Sequence, residues 1–517
     1  MIKKALFLSN FLFLAMFAFS QTVELQQVTD AQFHNTGTLT ALPSPVIYTF
    51  YEAGPSKQKD HIKGVFAIYD AQMNLKFSDS LDLHPDNKLM QVKDNEKEII
   101  AAFYNETKEE ITFRIYNDNG AKLREETLYY KSNIYGNFYG NAEDIGEAEL
   151  IRPQPEKGFF IYQYVKNKRL GYNYYFLTST GIQLIWKSPE DHNNRKNATL
   201  LYADEDLMVI HERDWSSVYD QQPLMAAIVI DFSTSKEHFR VSHDYQKRPR
   251  FYTSVLRNEK DELIFFGETY NKANNYPDND YNSGYFSERY NMNGTLLHDV
   301  ELPYEDPVFL KDLGLSSKNG RKKLGTVYVY QLITDGDGFA ALGEWALRES
   351  QGGGAGAALL AYSSGTTGFQ KWSSSYLLGD FVLMKFGTDG SYKGSHLLPK
   401  THVLKGLNDL RPRPQFNLNK MKYLGRMNYQ FEVPGHSNSF FYVDETHKKD
   451  VIDFKLLKAE PSNGFYSTTE ITSFTIPQDN FYRLYPLTEN SVVKVSYETE
   501  NQKLAFSLIT PIEKKDE

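Results

Sequence analysis

Short, strongly apolar segments recur along the chain, and most of them end in a glutamate. Seven of the eight segments end in Glu, and the third ends in Lys166. Apolar runs of this length, bounded by turn residues, predict buried β-strands. In chain order they are VIYTFYE (46–52), IIAAFYNE (99–106), FFIYQYVK (159–166), LMVIHE (207–212), LIFFGE (263–268), FAALGE (339–344), FFYVDE (440–445) and VVKVSYE (492–498).

A second strand follows each of these segments, and it usually leads into a tight turn. Asn119-Gly120, Asn293-Gly294 and Asp389-Gly390 are strong β-hairpin signals, because Asn and Gly accept the positive φ that such turns require. A further strand precedes each segment, as YVYQLITDGDG (328–338) precedes FAALGE. The repeating unit is therefore four strands, which we label a, b, c and d, and its length is typical of a propeller blade.

The two ends of the chain complement each other. The eighth unit has strands a, b and c but no strand d, whereas Thr22–Val28 is a spare strand-like segment before the first unit. Pairing the two would remove an unpaired sheet edge. The sequence therefore predicts an all-β fold: a single closed β-propeller, with eight four-stranded blades, or seven if one weak unit is misread. Two β-sandwiches or an open array would also fit regularly spaced strands.

Residues 1–20 have the pattern of a secretory signal peptide. Lys3 and Lys4 precede an apolar run, and Ala18 and Ser20 occupy the positions of a small-residue cleavage site. We therefore expect one propeller domain over 21–517, in an exported protein that is periplasmic rather than extracellular. No later apolar run reaches the length of a transmembrane helix. The net charge of −9 argues against nucleic acid as a partner.

The long connections predict which side of the propeller binds a ligand. Antiparallel strands place the a–b and c–d turns on one side and the b–c and d–a connections on the other. The a–b and c–d turns are mostly short, whereas long connections such as 270–284, 303–323 and 348–379 belong to the other side. Long loops on a rigid scaffold commonly carry the binding residues.

The candidate ligand-binding residues lie in or beside these long connections. A ring of strand-end glutamates could attract cations or basic ligands, although a residue repeated in most blades also suits a purely structural role. Tyrosine and tryptophan suit a protein or carbohydrate surface, although long loops also need small cores of their own. The predicted ligand-binding residues are Glu212, Asp214, Trp215, Glu268, Tyr276, Tyr281, Glu344, Trp345 and Trp372.

One segment could bind calcium. Asp278, Asp280 and Asn282 place oxygen-bearing side chains at alternate positions, and calcium needs six to eight oxygen ligands. The segment departs from the EF-hand loop, because glycine stands at its seventh position and Arg289 at its twelfth. An ordinary loop explains the same residues, and apart from this calcium candidate the sequence predicts no cofactor.

The sequence predicts an exported, non-catalytic binding protein that contacts a protein or a carbohydrate at the cell envelope. Signal segment and repeats together resemble uncharacterised exported Bacteroidota proteins with propeller-like repeats, and that resemblance implies no activity. One alternative is a carbohydrate-active or hydrolytic enzyme that uses Glu212, Asp214, Glu268 or Glu344. Another is a structural component of the envelope. No nucleophile-elbow or zinc-protease motif occurs in the sequence.

Overall fold

The computed structural model describes most of the chain. The described residues are 22–25, 36–58, 61–105, 107–130, 150–167, 169–189, 195–215, 224–243, 250–270, 282–315, 325–335, 338–349, 374–407, 418, 421–422, 427–448, 451–462, 465–477, 481–498 and 502–510.

The first half of the propeller consists of four antiparallel sheets, each with its strands in the order a, b, c and d. Blade 1 contains β2 (Thr36–Leu39), β3 (Val46–Pro55), β4 (Ile62–Asp70) and β5 (Leu75–Leu83). Blade 2 contains β6 (Asn87–Asp94), β7 (Glu98–Asn105), β8 (Glu110–Asn117) and β9 (Lys122–Tyr129). Blade 3 contains β10 (Ile151–Gln154), β11 (Gly158–Asn167), β12 (Arg169–Leu177) and β13 (Ile182–Lys187). Blade 4 contains β14 (Arg195–Ala203), β15 (Leu207–Trp215), β16 (Leu224–Asp231) and β17 (Lys236–Ser242).

The second half repeats this order and adds the N-terminal strand to the last sheet. Blade 5 contains β18 (Arg250–Arg257), β19 (Glu262–Thr269), β20 (Gly284–Asn291) and β21 (Leu296–Pro303). Blade 6 contains β22 (Thr326–Asp335), β23 (Gly338–Glu349), β24 (Ser374–Phe386) and β25 (Tyr392–Leu398). Blade 7 contains β27 (Tyr429–Val433), β28 (His436–His447), β29 (Val451–Ser462) and β30 (Phe465–Pro477). Blade 8 contains β31 (Phe481–Thr488), β32 (Ser491–Glu498), β33 (Lys503–Ile509) and β1 (Thr22–Leu25).

Apolar contacts between consecutive blades close the ring. Eight hydrophobic clusters join blades 1–2, 2–3, 3–4, 4–5, 5–6, 6–7, 7–8 and 8–1 in turn. In the last of these, Val493 and Val495 of blade 8 pack with Ile47 of blade 1. The a strands of several neighbouring blades contact one another, so they line the axis. The prediction of a closed propeller with eight blades is therefore confirmed.

The burial of each strand explains its sequence. Strand b is covered on both sides by neighbouring blades, so β7 is buried at every residue except Glu98 and is almost continuously apolar. The outermost strand β9 alternates between half-buried and exposed positions along most of its length and carries charged residues. Gly120, Gly294 and Gly390 have φ values of 82°, 76° and 72°, as the predicted hairpin turns require.

The N-terminal strand completes blade 8 as predicted. β1 pairs antiparallel with β33, with Thr22 opposite Ser507 and Leu25 opposite Leu504. Lys503 Nζ lies 2.7 Å from Glu24 Oε1 across the same pair. Residues 26–28 of the predicted segment lie outside the described residues. This pairing covers the edge of β33 and joins the two ends of the chain in one sheet.

Secondary structure is also found within the predicted loops. A short helix, α1 (Pro307–Asp312), begins at Asp306, whose side chain accepts hydrogen bonds from the backbone N–H of Val308 and Phe309. β26 (Val403–Leu407) adds a fifth strand to blade 6 by pairing with the start of β24. Strand pairing between β23 and β24 reaches Glu349 and Ser375, so the connection predicted over 348–379 is shorter than expected. Within the described part of the chain, no helix is long and apolar enough to cross a membrane.

Candidate binding site

The connections between strands give the two sides of the propeller different characters. The a–b and c–d turns are short throughout, for example 204–206 and 292–295. The four longest connections are 130–150, 304–325, 350–373 and 408–428, and all are b–c or d–a connections. Three of these four, together with 270–283, belong to blades 5 and 6, whereas 130–150 joins blades 2 and 3. We call the side that carries them the long-connection face. Four strand-b glutamates lie toward it in adjacent blades: Glu212, Glu268, Glu344 and Glu445.

Glu212, in blade 4, is held between cations. Its side chain accepts a hydrogen bond of 2.5 Å from the Tyr172 hydroxyl of blade 3. Arg240 Nη1 lies 3.3 Å from Glu212 Oε1, and Lys196 Nζ lies 3.9 Å from the same oxygen. Because β15 places Met208 and Ile210 against blade 3, Glu212 points to the same side.

Glu344 and Glu445 also have partners within the chain. The Tyr330 hydroxyl donates to Glu344 Oε2 at 2.5 Å, and Lys400 Nζ lies 3.0 Å from Oε1, with both charged side chains fully buried. Glu445 pairs with Lys405 and with His447, whose Nε2 lies 3.1 Å away. Burial alone would raise the pKa of Glu445, but Lys405 and His447 outweigh it and hold the pKa at about 2.

Glu268, in blade 5, differs from these three carboxylates. It is 3% exposed and accepts one hydrogen bond, of 2.6 Å, from the Tyr270 hydroxyl. No cation of the described chain pairs with it. Burial therefore raises its pKa to about 7, and the hydrogen bond from Tyr270 opposes that rise only in part. A carboxyl group of this kind is partly protonated at neutral pH.

A buried polar network surrounds Glu268. Tyr285, directly opposite Glu268 in the sheet, shares a hydrogen bond of 2.7 Å with the Tyr304 hydroxyl. The Tyr304 hydroxyl lies 3.2 Å from Thr326 Oγ1, which donates to Asn282 Oδ1 at 2.9 Å. Asn282 is 4% exposed, and its Nδ2 has no hydrogen-bond partner in the described part of the chain. A buried amide donor in this state carries a desolvation penalty that a ligand oxygen could relieve.

The four carboxylates thus do not form one ring of equivalent groups. Glu268, Glu344 and Glu445 share a strand face with residues that pack on the following blade, such as Phe266, Leu342 and Val443. Glu212 faces the preceding blade instead. Among the described residues these four carboxylates form separate sites, and three of the sites contain their own cation.

The remaining predicted residues divide into described and undescribed positions. Asp214 Oδ2 lies 3.2 Å from Lys196 Nζ, and the ring of Trp345 lies 5.6 Å from that of His402. Trp215 is the last residue of β15, but its side chain lies outside the described set. Tyr276, Tyr281, Trp372, Asp278 and Asp280 also lie outside the described residues.

The calcium prediction is only partly covered by the described residues. Asn282, the one described member of the predicted set, uses Oδ1 to accept from Thr326. Among the residues that the structure describes, no group of three or more His, Asp or Glu side chains is placed to hold a metal ion.

Sequence reasoning missed the residues that distinguish the four carboxylates. Lys400 and Lys405 follow blade 6 in the d–a connection, far in sequence from Glu344 and adjacent to no motif. Tyr285, Tyr304 and Thr326 come from three different segments around Glu268. The high tyrosine content was the one available signal, and it indicates neither their positions nor their partners.

Comparisons with known proteins assign the chain to no characterised group. The model of a family of unknown function, DUF6770, matches residues 1–506. No curated protein matches the sequence.

The similar solved structures have low sequence identity and low TM-scores. The WD40 domain of SCAP from fission yeast is 10% identical, covers 95% of this chain and 98% of its own, and has a TM-score of 0.36. A prolyl endopeptidase is 9% identical and covers 92% and 54%, with a TM-score of 0.37. Prolyl oligopeptidase B from Galerina marginata is 8% identical and covers 91% and 56%, with a TM-score of 0.35. The chain thus spans about half the length of these peptidases, and similarity at this level indicates no function.

Proposed function

We propose that this chain, which belongs to DUF6770, a family of unknown function, is a non-catalytic binding protein whose ligand contacts the long-connection face at blades 5 and 6. The supporting observation is that three of the four longest connections, the added strand β26 and the helix α1 lie around the same two blades. Elaboration concentrated on one part of a regular scaffold is typical of a binding surface.

The charges beneath this face support binding over catalysis. Acid–base hydrolysis of a glycoside uses two carboxyl groups at a defined separation, one of them free to take up or release a proton. Glu212 and Glu344 are paired with Arg240 and Lys400, whereas Glu268 has no cationic partner among the described residues and has a pKa of about 7. A hydrolase that uses Glu268 as a general acid is the second candidate, and its near-neutral pKa is the observation that favours it.

Removal of the longest connection tests the proposed function. Replacing 350–373 with a short Gly-Ser linker should abolish capture of the partner from a native envelope extract and leave the thermal unfolding transition intact. The matched control replaces exposed Glu259, in the a–b turn of blade 5 on the opposite side, with Ser, and should retain the partner. An identical set of captured proteins for wild type and deletion variant would contradict the proposal. A purely structural component of the envelope would give that result.

Export to the periplasm is part of the proposal and rests on residues 1–20. Lys3, Lys4 and the following apolar run are typical of a cleaved signal. Cell fractionation together with mass spectrometry of the mature N-terminus should find the protein in the periplasm, beginning at Gln21. An uncleaved cytoplasmic product would contradict this part of the proposal.

A further inference from the structure

Two of the buried carboxylates share the same three-part arrangement. Each accepts a short hydrogen bond from a tyrosine hydroxyl and contacts a cationic side chain. Glu212 has Tyr172 and Arg240 as these partners, at 2.5 and 3.3 Å. Glu344 has Tyr330 and Lys400, at 2.5 and 3.0 Å. The fold therefore uses a buried Glu–Tyr pair as a receptor for a cationic group.

Blade 5 contains the first two parts of this arrangement, and among the described residues the third part is absent. Glu268 is buried as deeply as Glu212, with each 3% exposed, and accepts from Tyr270 at 2.6 Å. No Lys or Arg in the described part of the chain contacts it. Isolated ionised carboxylates are costly to bury, so proteins normally pair them or leave them protonated.

The second observation at this site is the amide of Asn282. Asn282 Nδ2 is buried without a hydrogen-bond partner among the described residues. Tyr285 lies opposite Glu268 in the sheet, and its hydroxyl bonds with Tyr304, which in turn lies beside the Thr326 hydroxyl that donates to Asn282 Oδ1. Among the described residues, the site therefore presents a buried carboxyl group without a cation and a buried amide donor without a partner, joined by this network.

We propose that Glu268, Tyr270 and Asn282 bind the primary ammonium group of an external ligand, with Asn282 Nδ2 donating to an oxygen of the same ligand. The ammonium group would stand in the place that Lys400 Nζ occupies beside Glu344. This inference names the ligand class of the proposed binding protein and therefore rests on the proposed function.

The surroundings favour an ammonium group over other ligands. An anion would be repelled by Glu268, and calcium would need several further oxygen ligands beyond one carboxylate. Tyr285, Tyr304 and Tyr328 are all buried around the carboxyl group, and the charge of Glu268 contributes to the raised pKa of each. Aromatic rings beside a carboxylate are typical surroundings of a bound organic cation.

The protonation of Glu268 gives the site a defined pH dependence. Because the pKa of Glu268 in the free protein is about 7, the ionised fraction needed for binding decreases below neutral pH. The apparent affinity is reduced by the fraction of protein in the competent form, so affinity should fall about thirtyfold from pH 8 to pH 5.5.

Isothermal titration calorimetry with a lysine analogue tests the site. The probe is Nα-acetyl-lysine methylamide, and the matched control is Nα-acetyl-norleucine methylamide, which lacks only the amino group. We expect the lysine probe to bind wild type at pH 8 and the norleucine compound to bind at least tenfold more weakly. Glu268→Gln should weaken the lysine probe at least tenfold, whereas the opposite-side variant Glu259→Gln should bind as wild type does.

Three results would overturn the inference. These are equal binding of the lysine and norleucine compounds, binding of neither, or a response to calcium chloride alone that Glu268→Gln removes. The two-ligand comparison on wild type remains decisive even where a variant fails to fold. The calorimetry and the partner capture test different claims. If calorimetry contradicts the ammonium site but deletion of 350–373 still abolishes capture, the proposed function stands and only the ammonium site is wrong.

Discussion

Two groups of blades differ at one position of strand b. In blades 2, 3 and 8 the residue that ends the row of side chains facing the next blade is Tyr104, Tyr164 or Tyr497. In blades 5, 6 and 7 the corresponding residue is Glu268, Glu344 or Glu445. All six residues lie on the second strand of an antiparallel blade, so the side chain at this position distinguishes the two groups.

A tyrosine at this position is stabilised by contacts with other aromatic rings. Tyr104 and Tyr164 both contact the buried ring of Tyr130, with ring centroids 6.3 and 5.8 Å apart. Edge-to-face contacts of this kind contribute about 0.5–1.5 kcal/mol beyond burial. A glutamate at the same place needs a cation or a proton, and blades 5, 6 and 7 differ in which of these they provide.

Removal of Lys400 should have the largest effect on stability. Lys400→Met leaves Glu344 buried with only its tyrosine, which is the condition of Glu268, and should cost about 3–5 kcal/mol at pH 8. Urea unfolding at pH 8 measures this loss. Lys393→Met, which removes an exposed pair of 3.6 Å with Asp389, should cost no more than about 0.5 kcal/mol, and an equally small loss for Lys400→Met would contradict the comparison.

Glu268 should make folding less favourable as the pH rises. Its folded pKa of about 7 lies above the ordinary 4.5, so the folded state holds the proton more tightly than the unfolded state does. Relative to Glu268→Gln, wild type should lose about 3 kcal/mol of unfolding free energy between pH 4.5 and pH 7. Denaturant unfolding of both proteins across this range measures the slope. Parallel curves would show that the carboxyl group has a cation after all.

Glu445 should behave in the opposite sense. Its folded pKa of about 2 lies below the ordinary value, so its contribution is present above pH 4.5 and is lost as the pH falls toward 2. Relative to Glu445→Gln, wild type should lose about 3 kcal/mol over that range. The measurement is the same denaturant series extended to acid. A wild type that gains stability there, relative to the variant, would overturn the assigned pairing with Lys405 and His447.

Tyr130 should show the smallest effect. Its hydroxyl is buried without a hydrogen-bond partner in the described part of the chain. Tyr130→Phe keeps the ring contacts and removes an unsatisfied group, so stability should be unchanged or rise by up to about 1 kcal/mol. Thermal unfolding checks this, with Tyr130→Leu as a control that should destabilise by loss of the ring. A clear loss for Tyr130→Phe would mean that the hydroxyl has a bound partner.

The sequence predicted the blades because strands and tight turns are determined by residues close together in the chain. Apolar runs with hairpin residues such as Asn119-Gly120 indicate strands and turns without long-range information, and the spare segment at Thr22 indicated closure. The binding site was less accessible, because Glu268 and Glu344 end nearly identical segments, LIFFGE and FAALGE. What separates them is Lys400, which reaches Glu344 across 56 residues (400 − 344), and sequence carries no rule for that distance. β26 and α1 were missed because each is a short element inside a long connection.

Completion of blade 8 has a consequence for biosynthesis. Its sheet combines Thr22–Leu25 with Phe481–Ile509, so β1 leaves the ribosome 478 residues (503 − 25) before its partner β33. A nascent chain can therefore assemble blades 1 to 7 in order, but β1 has no partner strand until β33 has been made. Contacts between such distant segments form slowly. Closure of the ring is thus the last step of assembly, and a polypeptide truncated before β33 would be left with β1 unpaired.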